Sequence, residues 1–159
     1  MDTKKTYNSG GGVTLLSMER EPIILDVYGL PTPQGSKKLI HGRIIEASSA
    51  KLQKWRKEVQ SVAMTYLHQT GWRPFTGPVE LRVTFFLPRP PSVKRTGKNA
   101  REFPIVPPDL DKLVRGVGDA LTYGEVWGDD SQVVSMVCHK RYADDREPGA
   151  EIEIHSVTI

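Results

Sequence analysis

The segment from Pro107 to Asp130, PPDLDKLVRGVGDALTYGEVWGDD, combines the pattern of one amphipathic helix with five aspartates. Its apolar residues recur at intervals of three and four, which predicts a helix that begins near Asp109 and runs to about Thr122. Gly116 and Gly118 weaken such a helix by roughly 1 kcal/mol each relative to alanine. We therefore expect close packing, or the close approach of another backbone, at these glycines.

The segments on either side predict a mixed α/β or α+β domain in the order β, β, α, β, α, β, β. Periods of two and of 3.6 residues distinguish the strands from the helices. A strand at 23–30 and a continuation at 39–45 are expected to form a hairpin-like unit, and a helix runs from an N-cap at Ser48 or Ser49 to Gly71. Further strands are predicted at 79–87, 132–142 and 150–159, and the last two are joined as a hairpin through 143–149.

The chain of 159 residues fits a single domain, which we place at 22–159 after a flexible N-terminal extension at 1–21. A loop at 88–108 is rich in proline and basic residues. The net charge of +3 favours an anionic partner. Cys138 is the only cysteine, which excludes an intramolecular disulfide, and no apolar run approaches a membrane span. We expect a soluble, cytoplasmic protein with no membrane partner.

Each aspartate has a structural explanation when it is considered alone. Asp109 suits a helix N-cap, and Asp111 suits the first helical turn. Asp111, Arg115 and Asp119 are spaced for a surface ladder of ion pairs. Asp129 and Asp130 follow a glycine, as turn residues do.

Considered together, the aspartates indicate a metal site. An extended Asp109 and an early helical Asp111 can direct both carboxylates into one pocket, while Leu110 faces the core. Asp130 joins them only if the strand that follows it places its first residue beside the helix start. Three convergent carboxylates would repel one another, and their oxygen ligands suit Mg²⁺ or Mn²⁺.

The segment 108–134 resembles the signature of the RusA family of Holliday junction resolvases, endonucleases associated with phages and prophages. The resemblance lies in a D-L-D start, a D-A-L within the helix and a W-x-D-D-x-Q-V close. It implies a small mixed β-sheet with two main helices, a homodimer, and Mg²⁺-dependent cutting of four-way DNA junctions by paired symmetric incisions in recombination and repair. A phage or prophage gene acting in a bacterial host cell is also implied.

The resemblance assigns catalytic metal binding to Asp109, Asp111 and Asp130, whereas Asp119 and Asp129 match family acids of less defined role. The lysine of the family pattern corresponds to Arg115. Arginine stays charged, so this position offers charge and bidentate hydrogen bonds to a phosphate rather than proton transfer. Lys112 is the other candidate for the ammonium role.

Two basic loops are the candidate DNA contacts, because cations that neutralise phosphates release counterions. A solvated loop and an ordinary polar turn are the structural alternatives. The candidate DNA-binding residues are Lys37, Lys38, Arg89, Lys94, Arg95, Lys98, Arg101 and Lys112.

Two other functions share parts of this pattern. A non-catalytic protein that binds branched DNA would need the basic loops but not Asp109, Asp111 and Asp130 together. A different metal-dependent nuclease would act on flaps or replication intermediates.

Overall fold

The computed structural model describes residues 3–9, 13–35, 37–46 and 50–158. A 3-10 turn, Asp130–Gln132, leads into the seventh strand. In chain order the elements are β1 (Thr3–Ser9), β2 (Val13–Glu19), β3 (Ile23–Tyr28), β4 (Lys37–Ile40), β5 (Arg43–Glu46), α1 (Ala50–Thr70), β6 (Val79–Leu87), α2 (Leu110–Tyr123), β7 (Val133–Tyr142) and β8 (Gly149–Ser156).

Four strands form the main sheet in the order β3-β8-β6-β7. β8 is antiparallel to both of its neighbours, whereas β6 and β7 are parallel and α2 lies in the connection between them. Parallel neighbours require a crossover of this kind. The predicted mixed sheet with two main helices is therefore confirmed.

The core lies between one face of this sheet and the two helices. Alternate residues of β6 from Val79 to Leu87 are buried, as the period of two predicted. α1 contributes Trp55 and Val59 to the same core, and α2 contributes Leu113 and Val117. α1 ends at Thr70, and the next residue, Gly71, adopts a φ of 65° as helix-terminating glycines often do.

The two helices run side by side in the same direction. A Cβ atom added at Gly116 would lie 3.4 Å from the Thr32 carbonyl oxygen and 3.5 Å from Leu52 Cδ1, so the close packing predicted there is confirmed. Gly118 faces open space, and the same prediction is wrong for it. Further along, Gly124 packs on Ala63 of α1.

The predicted hairpin between β7 and β8 is wrong. β8 lies on the far side of β6, where Ile152 and Ile154 are fully buried between two neighbouring strands. The connection crosses the end of β6, and the Ala143 amide donates a hydrogen bond to the Leu87 carbonyl there. A six-residue connection suits a hairpin and this crossing equally well, so only burial decides between them.

One prediction near the N-terminus also needs correction. The segment 39–45 contributes to a separate hairpin, β4–β5, instead of pairing with β3. His41 and Gly42 form its turn with positive φ angles of 49° and 74°. The predicted N-terminal extension at 1–21 contains the antiparallel pair β1–β2. The N-cap predicted at Ser48 or Ser49 lies outside the described residues.

α2 is oriented with its first residues beside the end of β7. The Lys140 ammonium donates to the Pro108 carbonyl at 2.9 Å and to the Val106 carbonyl at 3.1 Å. The opposite end of α2 leads back through Trp127, which pairs with Phe75 ahead of β6. In the part of the chain that the structure describes, neither α1 nor α2 has the apolar length that a membrane crossing requires.

Candidate functional site

Asp109 and Lys112 form an ion pair at the start of α2. Asp109 has an extended backbone, but its side chain makes no capping hydrogen bond. Its Oδ2 atom instead lies 3.0 Å from Lys112 Nζ, and the Asp109 side chain is about half exposed. The N-cap explanation therefore holds for the backbone of Asp109 and not for its carboxylate, which remains accessible to a cation.

The predicted ladder of ion pairs along α2 is not formed. Asp119 accepts a hydrogen bond from Arg56 of α1 at 2.9 Å. Asp111 and Arg115 are exposed, and neither makes a hydrogen bond or ion pair within the described ranges. Two charged side chains one helical turn apart thus point away from the core without structural partners. Leu110 between the two acids is partly buried against the core, as predicted.

Asp129 and Asp130 lie on a rigid turn that Gln132 organises. The Gln132 Oε1 atom accepts from the Gly128 and Asp129 amides at 2.8 and 3.2 Å. Its Nε2 atom donates to the carbonyls of Phe75 and Gly77 at 3.0 and 2.9 Å. Sequence reasoning found Gln132 only as a letter of the family pattern; the structure shows that it joins the acidic turn to the segment ahead of β6.

The two neighbouring aspartates have opposite titration behaviour. Burial raises the pKa of Asp130, and the nearby carboxylates of Asp129 and Asp119 raise it further. A hydrogen bond from the Ser131 hydroxyl, at 2.6 Å, lowers the pKa of Asp129. A bound divalent cation would favour the charged form of Asp130 and reverse its shift. The α2 acid that influences Asp130 is Asp119 rather than Asp109 or Asp111.

The two halves of the proposed metal set lie at opposite ends of α2. This helix has 14 residues, or roughly 20 Å at 1.5 Å per residue. The end of β7, and not its first residue, lies beside the start of α2, so the geometric condition set for Asp130 is not met within one chain. Within ranges 3–9, 13–35, 37–46 and 50–158, no three His, Cys, Asp or Glu side chains are placed to hold a metal ion.

The basic loop divides into engaged and free cations. Arg89 is 14 % exposed and donates to both carboxylate oxygens of Asp144 at 2.7 Å. Because its guanidinium is engaged within the protein, Arg89 is poorly placed for the phosphate contact predicted for it. Arg95 is exposed and donates to Asp145 at 3.0 Å. Lys94, Lys98 and Arg101 are exposed without an ion pair among the described residues.

The second basic loop reaches the same end of the domain. The backbone amide of Gln34 donates to the backbone carbonyl of Lys112 at 3.0 Å, and this hydrogen bond fixes the loop beside the start of α2. Lys37 and Lys38 follow on β4; their side chains are outside the described part of the structure. Among the described side chains, Lys112 is the cation placed against Asp109, and the backbone of the second basic loop lies beside the same turn of α2.

The exposed acids at the start of α2 and the exposed cations of the basic loop suit an anionic polymer, and comparison with known families identifies that polymer as DNA. Residues 29–155 match the family model described as "Endodeoxyribonuclease RusA". The chain belongs to the RusA family of endodeoxyribonucleases and is therefore a hydrolase that acts on DNA.

A relative from Bacillus subtilis (strain 168) is similar to this chain over most of its length. It is the "Uncharacterized protein YqaN", 33 % identical over 140 residues, which cover 83 % of this chain and 94 % of that protein. The similarity therefore spans nearly the whole domain, including both ends of α2.

Proposed function

We propose that this protein resolves four-way DNA junctions by paired, Mg²⁺-dependent hydrolysis of phosphodiester bonds. The observation that carries the proposal is the match of residues 29–155 to the RusA endonuclease family, together with the exposed acids at both ends of α2. A non-catalytic binding protein would have no need of Asp109 and Asp111 side by side and accessible. The alternative of flap cutting is an outcome of the test below.

The edge strand β7 supports a homodimer. It forms one border of the sheet, and Val134, Met136 and Val137 are exposed by 62, 52 and 41 %. A long apolar edge strand tends to pair with another chain. Pairing two copies of β7 in antiparallel fashion about a two-fold axis would cover these residues and satisfy the free backbone groups of both edges.

The same pairing would complete the metal set. In an antiparallel pair the start of one β7 lies beside the end of the other. Asp130 precedes the start of β7, whereas Lys140 near its end contacts Pro108, the residue before Asp109. Each site would then combine Asp109 and Asp111 of one protomer with the partner's Asp130. A two-fold dimer would present two such sites, one for each strand that a resolvase cuts.

This chain's own donors fit a hard cation. All three proposed ligands are carboxylates, the class that Mg²⁺ and Mn²⁺ prefer. The bound cation would supply an activated water and neutralise charge on the phosphoryl group. Arg115, free and one turn beyond Asp111, would donate to a nonbridging phosphate oxygen and stabilise the charge that develops there. Lys112 would hold Asp109 in place through their ion pair.

The test is cleavage of a mobile four-way junction, a flap and a linear duplex, side by side, with Mg²⁺ or Mn²⁺. The proposal expects paired nicks on the junction alone. It also expects Asp111→Asn to bind the junction normally and to lose cutting by at least about 100-fold, because it removes a charged ligand but no DNA contact. Absence of incision by the wild-type protein, or equal cutting of the flap, would refute it.

A further inference from the structure

The segment Lys94–Arg101, here called the basic finger, is a closed loop that presents four cations. The Arg101 amide donates to the Lys94 carbonyl at 3.1 Å and closes the base of the finger. A turn at its tip joins the Ala100 amide to the Gly97 carbonyl, and Gly97 adopts a φ of 94°. The finger therefore has a defined shape rather than that of a featureless strip of charge.

Arg89 holds the base of the finger to the loop between β7 and β8. Its guanidinium donates to the carbonyls of Arg101 and Lys94 at 2.7 and 3.2 Å. The Nε and Nη2 atoms of the same guanidinium bind Asp144 in a bidentate pair at 2.7 Å, and its Cζ atom lies 4.0 Å from the centre of the Tyr142 ring. Bidentate arginine–carboxylate pairs fix orientation as well as distance. Asp144 is thus connected, through Arg89, to both ends of the finger, and its Oδ2 atom also lies 3.8 Å from Arg95 Nε.

Asp145 makes a contact of a different kind. It accepts from Arg95 at 3.0 Å, with side chains that are 80 and 56 % exposed. Exposed ion pairs contribute little and exchange readily with solvent ions. Only Nη2 of Arg95 bonds the Asp145 carboxylate, at 3.0 Å from both of its oxygens, whereas a DNA phosphate offers acceptors for two guanidinium nitrogens.

We propose that Asp144 positions the basic finger for DNA through Arg89, whereas Asp145 competes with a DNA phosphate for Arg95. The proposal deepens the proposed function, and it rests on that function because it takes the finger as a DNA contact. The Arg89 guanidinium lowers the pKa of Asp144, so this carboxylate stays charged throughout the working pH range.

The two adjacent aspartates provide a matched pair of variants. Asp144→Asn and Asp145→Asn change the net charge equally and differ by one position. Simple electrostatics predicts tighter DNA binding by both. A positioning role for Asp144 predicts the opposite result for Asp144→Asn, because a finger that loses its anchor presents its cations in many arrangements.

The experiment measures binding of the full-length protein to a four-way junction and to duplex DNA in chelator, where no cutting occurs, over a range of salt. Asp145→Asn should bind about threefold to tenfold more tightly and gain roughly one phosphate contact in its salt dependence. Asp144→Asn should bind the junction about tenfold more weakly and lose discrimination against duplex. Arg89→Lys, which keeps the charge but not the bidentate fork, should resemble Asp144→Asn.

Limited trypsin digestion provides a readout that needs no DNA. Asp144→Asn and Arg89→Lys should be cut faster within the finger, whereas Asp145→Asn should match the wild type. Melting temperatures identify any variant that unfolds globally. If Asp144→Asn unfolds, Arg89→Lys takes its place in the comparison.

Equal gains in DNA affinity for both aspartate variants, or unchanged trypsin cutting in the Arg89 variant, would overturn the inference. A different result would count against the proposed function alone. In that case the wild-type protein would bind junction and duplex equally well, while the trypsin digestion still showed that Arg89 holds the finger.

Discussion

At the scale of single residues, the adjacent carboxyl groups of Asp129 and Asp130 should affect stability in opposite directions. The raised pKa of Asp130 means that its ionisation disfavours the folded state. This penalty is complete above the folded-state pKa of Asp130, and it is lost as the pH falls below the ordinary pKa of an aspartate carboxyl group. Asp130→Asn should therefore raise the melting temperature of the cation-free protein at pH 7, and the gain should disappear in acid.

Asp129→Asn is the matched comparison. The lowered pKa of Asp129 contributes stability above the ordinary carboxyl pKa, which is lost as the pH falls through the folded-state value. This variant should melt at a lower temperature than the wild type at pH 7. Melting curves of both variants from pH 3 to pH 8 check the prediction, and shifts of the same sign would contradict the assigned environments.

At the scale of the helix, the glycines of α2 differ in what surrounds them. Gly118 faces open space, so Gly118→Ala should stabilise the protein by about 0.5–1 kcal/mol through helix propensity alone. Gly124 is the control: an added Cβ would lie 3.1 Å from Ala63 Cβ and 3.2 Å from the Ala120 carbonyl, so Gly124→Ala should destabilise. Urea unfolding measures both, and a loss of stability in Gly118→Ala would show a neighbour at that position.

The elements themselves could be predicted from sequence because their signals are local. The stripe of α2 and the alternation of β6 each repeat within a few residues, and both were found close to their observed bounds. The order of the strands was not found, because the place of β8 depends on burial between β3 and β6. The role of Arg89 also depends on a contact that is distant in the sequence, since its partner Asp144 lies 55 residues away. Sequence patterns do not show such contacts.

The candidate site shows the same division. Asp109 and Asp111 were placed correctly at the start of α2 because two residues of sequence fix their separation. The place of Asp130 depends on the direction of β7, and parallel pairing with β6 moves it to the far end of the helix. A sequence motif does not distinguish an acid that belongs to a site within its own chain from one that belongs to a site shared with a second chain.

At the scale of the whole molecule, the free edge of β7 should determine assembly. Met136→Lys would place a charge within the proposed interface, where charged edge residues oppose pairing. It should convert the dimer into a monomer and abolish junction cutting. Ile24→Lys, at a position on the other edge strand that is exposed by 61 % against 52 % for Met136, should leave both unchanged. Sedimentation velocity measures the assembly, and a monomeric wild type would contradict the proposed interface.

The shared metal site is the central claim, and subunit complementation tests it most directly. Asp111→Asn and Asp130→Asn should each be inactive as homodimers. Co-expressed with separate tags and purified as a mixed dimer, they should regain one intact site, built from Asp109 and Asp111 of the Asp130→Asn protomer and Asp130 of the other. We predict that the mixed dimer nicks one strand of a four-way junction in Mg²⁺. A mixed dimer that binds the junction but makes no nick would contradict the account.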